Sequence, residues 1–161
     1  MSDVLNQNQF KKSVIPGQLD LKAGGLDTSF TVRIDPGSAA SDIEAGTGLQ
    51  LVDGGADDPN GVPLVDVLSA DTDVPFGARI YEIKKGVVQP GDITQVSFRG
   101  CVQFMTASAA LARGVGVALD VTTPGAVQAV GTDAQFGILL DKSFAQGDIV
   151  RVLVDPAAPS T

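Results

Sequence analysis

From Ser29 onward the chain never runs far before a glycine, proline or aspartate interrupts it. The 19 Gly and 9 Pro of the 161 residues cut the apolar sequence into short pieces. Short apolar pieces between turn formers fold as strands and turns, because each is too brief to sustain a helix. Phe30, Val32 and Ile34 alternate with Thr31 and Arg33, the period of two that sends one face of a strand inward. Asp35-Pro36-Gly37-Ser38 ends that strand as a turn. Residues 49–52, 62–68, 78–84, 94–106, 115–121, 126–130, 136–140 and 149–154 read as further strands. Within 94–106, Val96, Phe98, Val102 and Phe104 keep one parity, so Gly100 reads as a bend and not a one-residue bulge. Residues 107–113, Ala-Ser-Ala-Ala-Leu-Ala-Arg, form the best helix candidate, a turn or two ended by Gly114.

The expectation is a mainly β protein, a small β-barrel or β-sandwich of short antiparallel strands with one short helix and an extended N-terminal arm. Barrel and sandwich stay open, since both read as short alternating strands. The arm is residues 1–28, the single β domain 29–155, and the C-terminal tail 156–161. One echo runs through the domain. Gly91-Asp92-Ile93 and Gly147-Asp148-Ile149 are each followed by a valine three residues after the isoleucine, Val96 and Val152. Either turns have converged on Gly-Asp, or two similar β units build the domain.

Composition excludes several functions. Hydrophobic residues make up 43% and charged residues 19%, a globular balance. The formal net charge of -8 repels phosphate, and the basic pairs Lys11-Lys12 and Lys84-Lys85 carry no aromatic cluster, so no nucleic-acid partner is expected. No apolar run approaches the roughly 20 residues that cross a bilayer, so no membrane partner is expected either. Residues 1–10 are polar and lack the apolar centre of a signal peptide, so synthesis in the cytosol is expected.

Chemistry is equally constrained. The absence of histidine removes the commonest general base and the usual zinc ligand. The single Cys101 excludes an intramolecular disulfide framework and, inside a strand, reads as an inert, partly buried thiol. The loop from Asp53 to Gly61 offers oxygens at Asp53, Asp57, Asp58 and Asn60, but its spacing does not match a calcium loop. Asp71 with Asp73, and Asp92 with Asp148, sit on turns and read as turn formers before they read as paired catalytic acids. The glycine-rich pieces at 46–48 and 114–116 lack the Lys-Ser/Thr ending of a phosphate loop. No catalytic residue, metal or cofactor is expected, and the protein reads as a non-enzyme.

The arm is different. Asn6, Gln7, Asn8 and Gln9 are polar, yet Phe10, Val14, Ile15, Leu19 and Leu21 are too apolar for a purely solvated tail. With Lys11 and Lys12 they are the candidate partner-binding residues, in an arm that either packs on its own domain or orders on a neighbouring subunit.

Residues 86–154 resemble the small capsid decoration, or cement, proteins of tailed bacteriophages. The resemblance lies in Gly86-Val87-Val88-Gln89-Pro90-Gly91-Asp92, Gly100-Cys101-Val102-Gln103-Phe104, the Ala-rich residues 107–113 before Gly114-Val115-Gly116-Val117, Phe136-Gly137-Ile138-Leu139-Leu140, and Ala145-Gln146-Gly147-Asp148-Ile149-Val150-Arg151-Val152. It implies a virion protein on the outer surface of the capsid, a homotrimer that binds the major capsid protein of the expanded head and stabilises contacts between its subunits. The rival from another class is a carbohydrate- or ligand-binding β module of a virion or cell-surface assembly, for which Tyr81 is the sole tyrosine available. A carboxylate hydrolase is the third reading.

Overall fold

The computed structural model describes residues 16–19, 29–52, 58–82 and 86–158. Among them are twelve strands and no helix: β1 (Ser29–Ile34), β2 (Ile43–Glu44), β3 (Gly48–Leu51), β4 (Leu64–Val67), β5 (Gly77–Ala78), β6 (Val87–Val88), β7 (Ile93–Ser97), β8 (Val102–Ala107), β9 (Gly116–Leu119), β10 (Ala126–Ala129), β11 (Gln135–Leu139) and β12 (Ile149–Ala157). The expected mainly β class is what the chain adopts, and part of it is a barrel.

The last five strands close on themselves in the order β10-β8-β12-β11-β9. β8 and β10 run parallel, and the other neighbours run antiparallel. Period-two patterning is clearest in β12, where Val150, Val152 and Val154 are fully buried and Arg151 and Leu153 face outward. Met105, Val117, Leu119, Val127, Phe136 and Leu139 fill the same core.

The preceding strands repeat this plan. Their five-stranded sheet has the order β5-β3-β4-β1-β7, again with one parallel pair, β1 with β4. Exchanging β1, β3, β4, β5 and β7 for β8, β9, β10, β11 and β12 reproduces the neighbours of the barrel. The registers agree residue by residue. Ile34 faces Val65 as Ala107 faces Val127; Leu51 faces Val65 as Leu119 faces Val127; Leu49 faces Gly77 as Val117 faces Gly137. Arg79 bridges Val96 as Leu139 faces Val152, and the Ile80 N–H donates to Gln95 O at 2.9 Å as the Leu140 N–H donates to Arg151 O at 2.8 Å.

The Gly-Asp-Ile echo marks this duplication. Gly91 and Gly147 take φ of +88° and +91°. Their N–H groups donate to Ile34 O and Ala107 O, the last residues of the matched strands β1 and β8. The Asp92 and Asp148 carboxylates each accept the N–H three residues upstream, at Gln89 and Ala145. Two similar β units therefore build the chain. Val32, Ile34, Ile43, Leu49, Val65, Val88 and Val96 form the core of the first unit, while its Leu68 and Ala78 pack into the core of the second.

The short helix is not formed. Ala107 ends β8, with its N–H donated to Asp148 O and its carbonyl accepting from Gly147. The Ser108 N–H donates to Val127 O, and Leu111 and Ser143 exchange backbone hydrogen bonds at 3.3 and 3.0 Å. A turn or two of isolated helix is too short to outweigh its own nucleation, so these groups satisfy themselves between strands. Gly100, at φ +95°, is a bend as expected, and it carries the chain from one unit to the other. β12 extends to Ala157, so Pro156 belongs to the strand.

Gly77 and Gly137 hold matched places, and both lie against a carbonyl. A Cβ on Gly77 would strike Ser97 O, and one on Gly137 would strike Leu153 O, the matched residue. The pairing of β11 with β12 shifts register at this point, between Gln135 and Gly137. Gly137→Ala is therefore expected to cost about 1–3 kcal/mol through overpacking against backbone. Gly61→Ala, at φ +77° with nothing within 4 Å, loses about 1 kcal/mol from backbone strain alone. Urea denaturation of the two variants checks the ranking.

Candidate functional site

Residues 16–19 of the arm are built into the seam between the units. The Gly17 N–H donates to Phe104 O at 2.7 Å, and the Phe104 N–H donates to Gln18 O at 2.8 Å. Leu19 faces Gln103 in an antiparallel bridge and packs half-buried on the core of the second unit. Gly17 O accepts from the Tyr81 N–H at 3.1 Å and from Gln103 Nε2 at 2.9 Å. Gln103 is fully buried and also donates to Arg79 O at 3.3 Å, so one amide joins the arm segment to both units. The segment can enter here because β10 pairs with β8 only at Thr106 and Ala107, leaving that edge of β8 open beside Gln103 and Phe104. Of the candidate arm residues, Leu19 is thus placed; Phe10, Lys11, Lys12, Val14, Ile15 and Leu21 lie outside the described residues.

Tyr81 is half-buried and borders a shallow groove with Pro16, Glu44, Ala45 and Pro124. Cys101 is fully buried beneath the Gly100 turn. Arg79 stands where the second unit has Leu139 and is also fully buried. Its guanidinium donates to Thr94 Oγ1 at 3.3 Å, Ile43 O at 3.2 Å and Gly86 O at 2.9 Å. Burial lowers its pKa, and the Glu82 carboxylate opposes that shift.

The carboxylates nominated by sequence are occupied with backbone. Asp73 accepts from the Ser69 N–H, the Ser69 hydroxyl and the Ala70 N–H at 2.8–3.0 Å. Asp71 accepts the Val121 N–H at 3.2 Å and so ties the units together. Asp148 accepts the Phe144 and Ala145 N–H groups. Asp73 and Asp148 act as turn organisers, with lone pairs directed at the local chain, while Asp71 reaches the other unit. Of the 53–61 loop, residues 53–57 lie outside the described residues. Asp58 is buried, accepts the Asn60 and Val62 N–H groups at 2.8 and 2.9 Å, and forms an ion pair with Arg33 Nε at 3.4 Å. Among the described residues, no group of three or more His, Cys, Asp or Glu is placed to hold a metal ion.

Hydrogen bonds from the Val62 and Asn60 backbone, with the Arg33 charge, hold the Asp58 carboxyl below the usual aspartate range. The Ser69 hydroxyl and the Ser69 and Ala70 amides do the same for Asp73.

The other surface feature is aromatic. Phe30, Phe76 and Phe98 meet at one end of the first unit, with centroids 5.8, 6.0 and 5.8 Å apart and interplanar angles of 85°, 34° and 55°. Such inclined pairs suit edge-to-face attraction between rings, and they do not form the flat platform on which a sugar stacks. Phe30 and Phe98 are exposed and Phe76 is half-buried. Alternation alone conceals this cluster, because Phe30 shares parity with the buried Val32 and Ile34, and Phe98 with Val96. A signal does lie in the duplication, since the matched positions in the second unit are Gln103, Phe136 and Val154, all buried.

No protein-family model matches the chain, and no curated protein matches it. Among solved structures, it is similar to the N base of the head fibre gp8.5 of bacteriophage phi29. The identity is 16% and the TM-score 0.49, over 83% of this chain and 98% of that one. That neighbour is a phage head fibre base, and a likeness this slight assigns no function to the chain.

Because a lowered folded-state pKa stabilises above the unfolded pKa and is lost as pH falls through the folded one, the protein is expected to weaken below about pH 4. Asp58→Asn is expected to be less stable than wild type at pH 7, with the gap narrowing as the pH is lowered below about 4. Urea titrations at pH 7 and at a series of values below about pH 4 measure it.

Proposed function

We propose that this chain is a capsid decoration protein of a tailed bacteriophage. It sits on the outer surface of the expanded head and stabilises contacts between major capsid subunits, acting as a homotrimer. The observation that carries this reading is the anchoring of residues 16–19 in the seam, which ties the polar-then-apolar stretch 1–15 to a fixed point of the fold. Phe10, Lys11, Lys12, Val14 and Ile15 then act as a contact segment at high effective concentration once the β units are docked.

Two further features support it. The sequence elements that resemble decoration proteins, from Gly100 to Val152, fall in order on β8, the turn after it, β9, β11 and β12 of the closed barrel. The nominated carboxylates accept backbone N–H groups, Asp73, Asp92 and Asp148 within turns and Asp71 across the units, which favours a non-enzymatic role. A protein that binds the expanded lattice and not its precursor stabilises the former by mass action. The formal net charge of -8 suits an exterior position away from packaged DNA.

Deleting residues 1–15, which leaves the seam segment intact, is expected to keep the urea midpoint and to weaken attachment to expanded capsids at least tenfold in a cosedimentation assay. Full attachment by the shortened chain, with unchanged stability, removes the arm from the mechanism.

A further inference from the structure

The duplication allows each surface of one unit to be compared with its counterpart in the other. At the end of the second unit that meets the first, Gln103 is 0% exposed, Leu119 4%, Ala134 2% and Val154 0%. Three of these touch the first unit or pack with it. Gln103 donates to Arg79 O, the Ala134 N–H donates to Asp71 O at 2.9 Å, and Leu119 shares a core with Leu68 and Ala78. The matched residues of the first unit are Phe30, Leu51, Val74 and Phe98. Strand register fixes Phe30, Leu51 and Phe98, and Val74 matches Ala134 because each lies three residues before the matched Gly77 and Gly137, inside a shared Thr-Asp-x-x-Phe-Gly. Their exposures are 43%, 47%, 48% and 39%. The same end of the same fold is sealed in one unit and bare in the other, and the bare one carries the larger apolar side chains.

The chain also holds a candidate cover. Leu68 and Ala78 of the first unit pack into the core of the second, and Thr47 lies beside Leu68 and Leu119, all three buried. Their counterparts in the second unit, by the same registers and hydrogen bonds, are Val115, Val130 and Ile138, which remain half-buried. One chain therefore has an exposed aromatic end on its first unit and a half-buried aliphatic face on its second, and within the chain the matched surfaces already join.

We infer that the Phe30–Leu51–Val74–Phe98 end is an interface for a second copy of this chain, which seats the Val115–Val130–Ile138 face of its second unit there, repeating between chains the contact made within one. Such a head-to-tail contact is heterologous, and it closes into a ring or extends as a filament. It needs no capsid. Its failure is therefore separable from failure of the decoration reading, which is measured by attachment to heads.

Sedimentation velocity of the full chain over a range of concentrations tests it. Wild type is expected to self-associate reversibly. Phe30→Ser/Phe98→Ser and Val130→Glu/Ile138→Glu are each expected to associate at least roughly thirtyfold more weakly, with circular dichroism and urea midpoint confirming that each remains folded. Mixing the two variants restores one intact contact, so a dimer of one chain of each kind is expected. If either pair fails to fold, Leu51→Ser and Val115→Ser replace them in the same mixing test. A wild type that stays monomeric throughout overturns the inference. So does a folded far-face variant that assembles as wild type does, which would mean that aromatic ends meet one another, or an aromatic-end variant that still assembles.

Discussion

Closure of the sheet depends on a strand passing directly over a neighbour's carbonyl. At Gly137 against Leu153 O, and at Gly77 against Ser97 O, no side chain fits. β11 makes its pairings with both β9 and β12 through this point, and the matched β5 lies between β3 and the bridge to β7. Without that approach the strands would remain an open sheet with free edges, the arrangement most exposed to pairing with other chains. The buried valines of β12 and the core around Phe136 follow from closure, since only a closed barrel gives all of them an interior.

The seam is the second constraint. Gly46 and Gly125 meet so closely that a Cβ on the former would overlap the latter's backbone, and residues 16–19 fill the adjoining edge of β8. Gln103 at 0% exposure satisfies its amide nitrogen on Gly17 O and Arg79 O, joining chain entry, first unit and second unit through one side chain. The units are therefore joined by a backbone-level fit as well as by the apolar contacts of Leu68 and Ala78.

Much of the fold was legible because strands announce themselves locally. Val150, Val152 and Val154 alternate in the sequence and in the barrel, and the Gly-Asp-Ile echo marked the repeat. The rest of the duplication was hidden. Ile34 matches Ala107 and Arg79 matches Leu139, and loops of different length shift the spacing between matched residues along the chain, so no fixed period survives and identity survives only in pieces, such as Thr72-Asp73 and Phe76-Gly77 against Thr132-Asp133 and Phe136-Gly137. The helix expected at 107–113 failed because local propensity is weak against strand pairing that uses the same amides. The turn roles of Asp73, Asp92 and Asp148 were readable from their neighbours. The exposure of Phe30 was not, because parity tells which face a side chain takes and not whether that stretch of the face is covered.

A fold made twice in one chain frees each copy from part of its duties. The second unit is sealed by its sibling and can keep small, interchangeable side chains such as Ala134 at the seal. The first has no sibling on its outer end, and its aromatic residues there answer to whatever lies beyond the chain. Divergence between the halves, read position by position, thus becomes a record of which surfaces have been shaped from outside the molecule and which only by the need to fold.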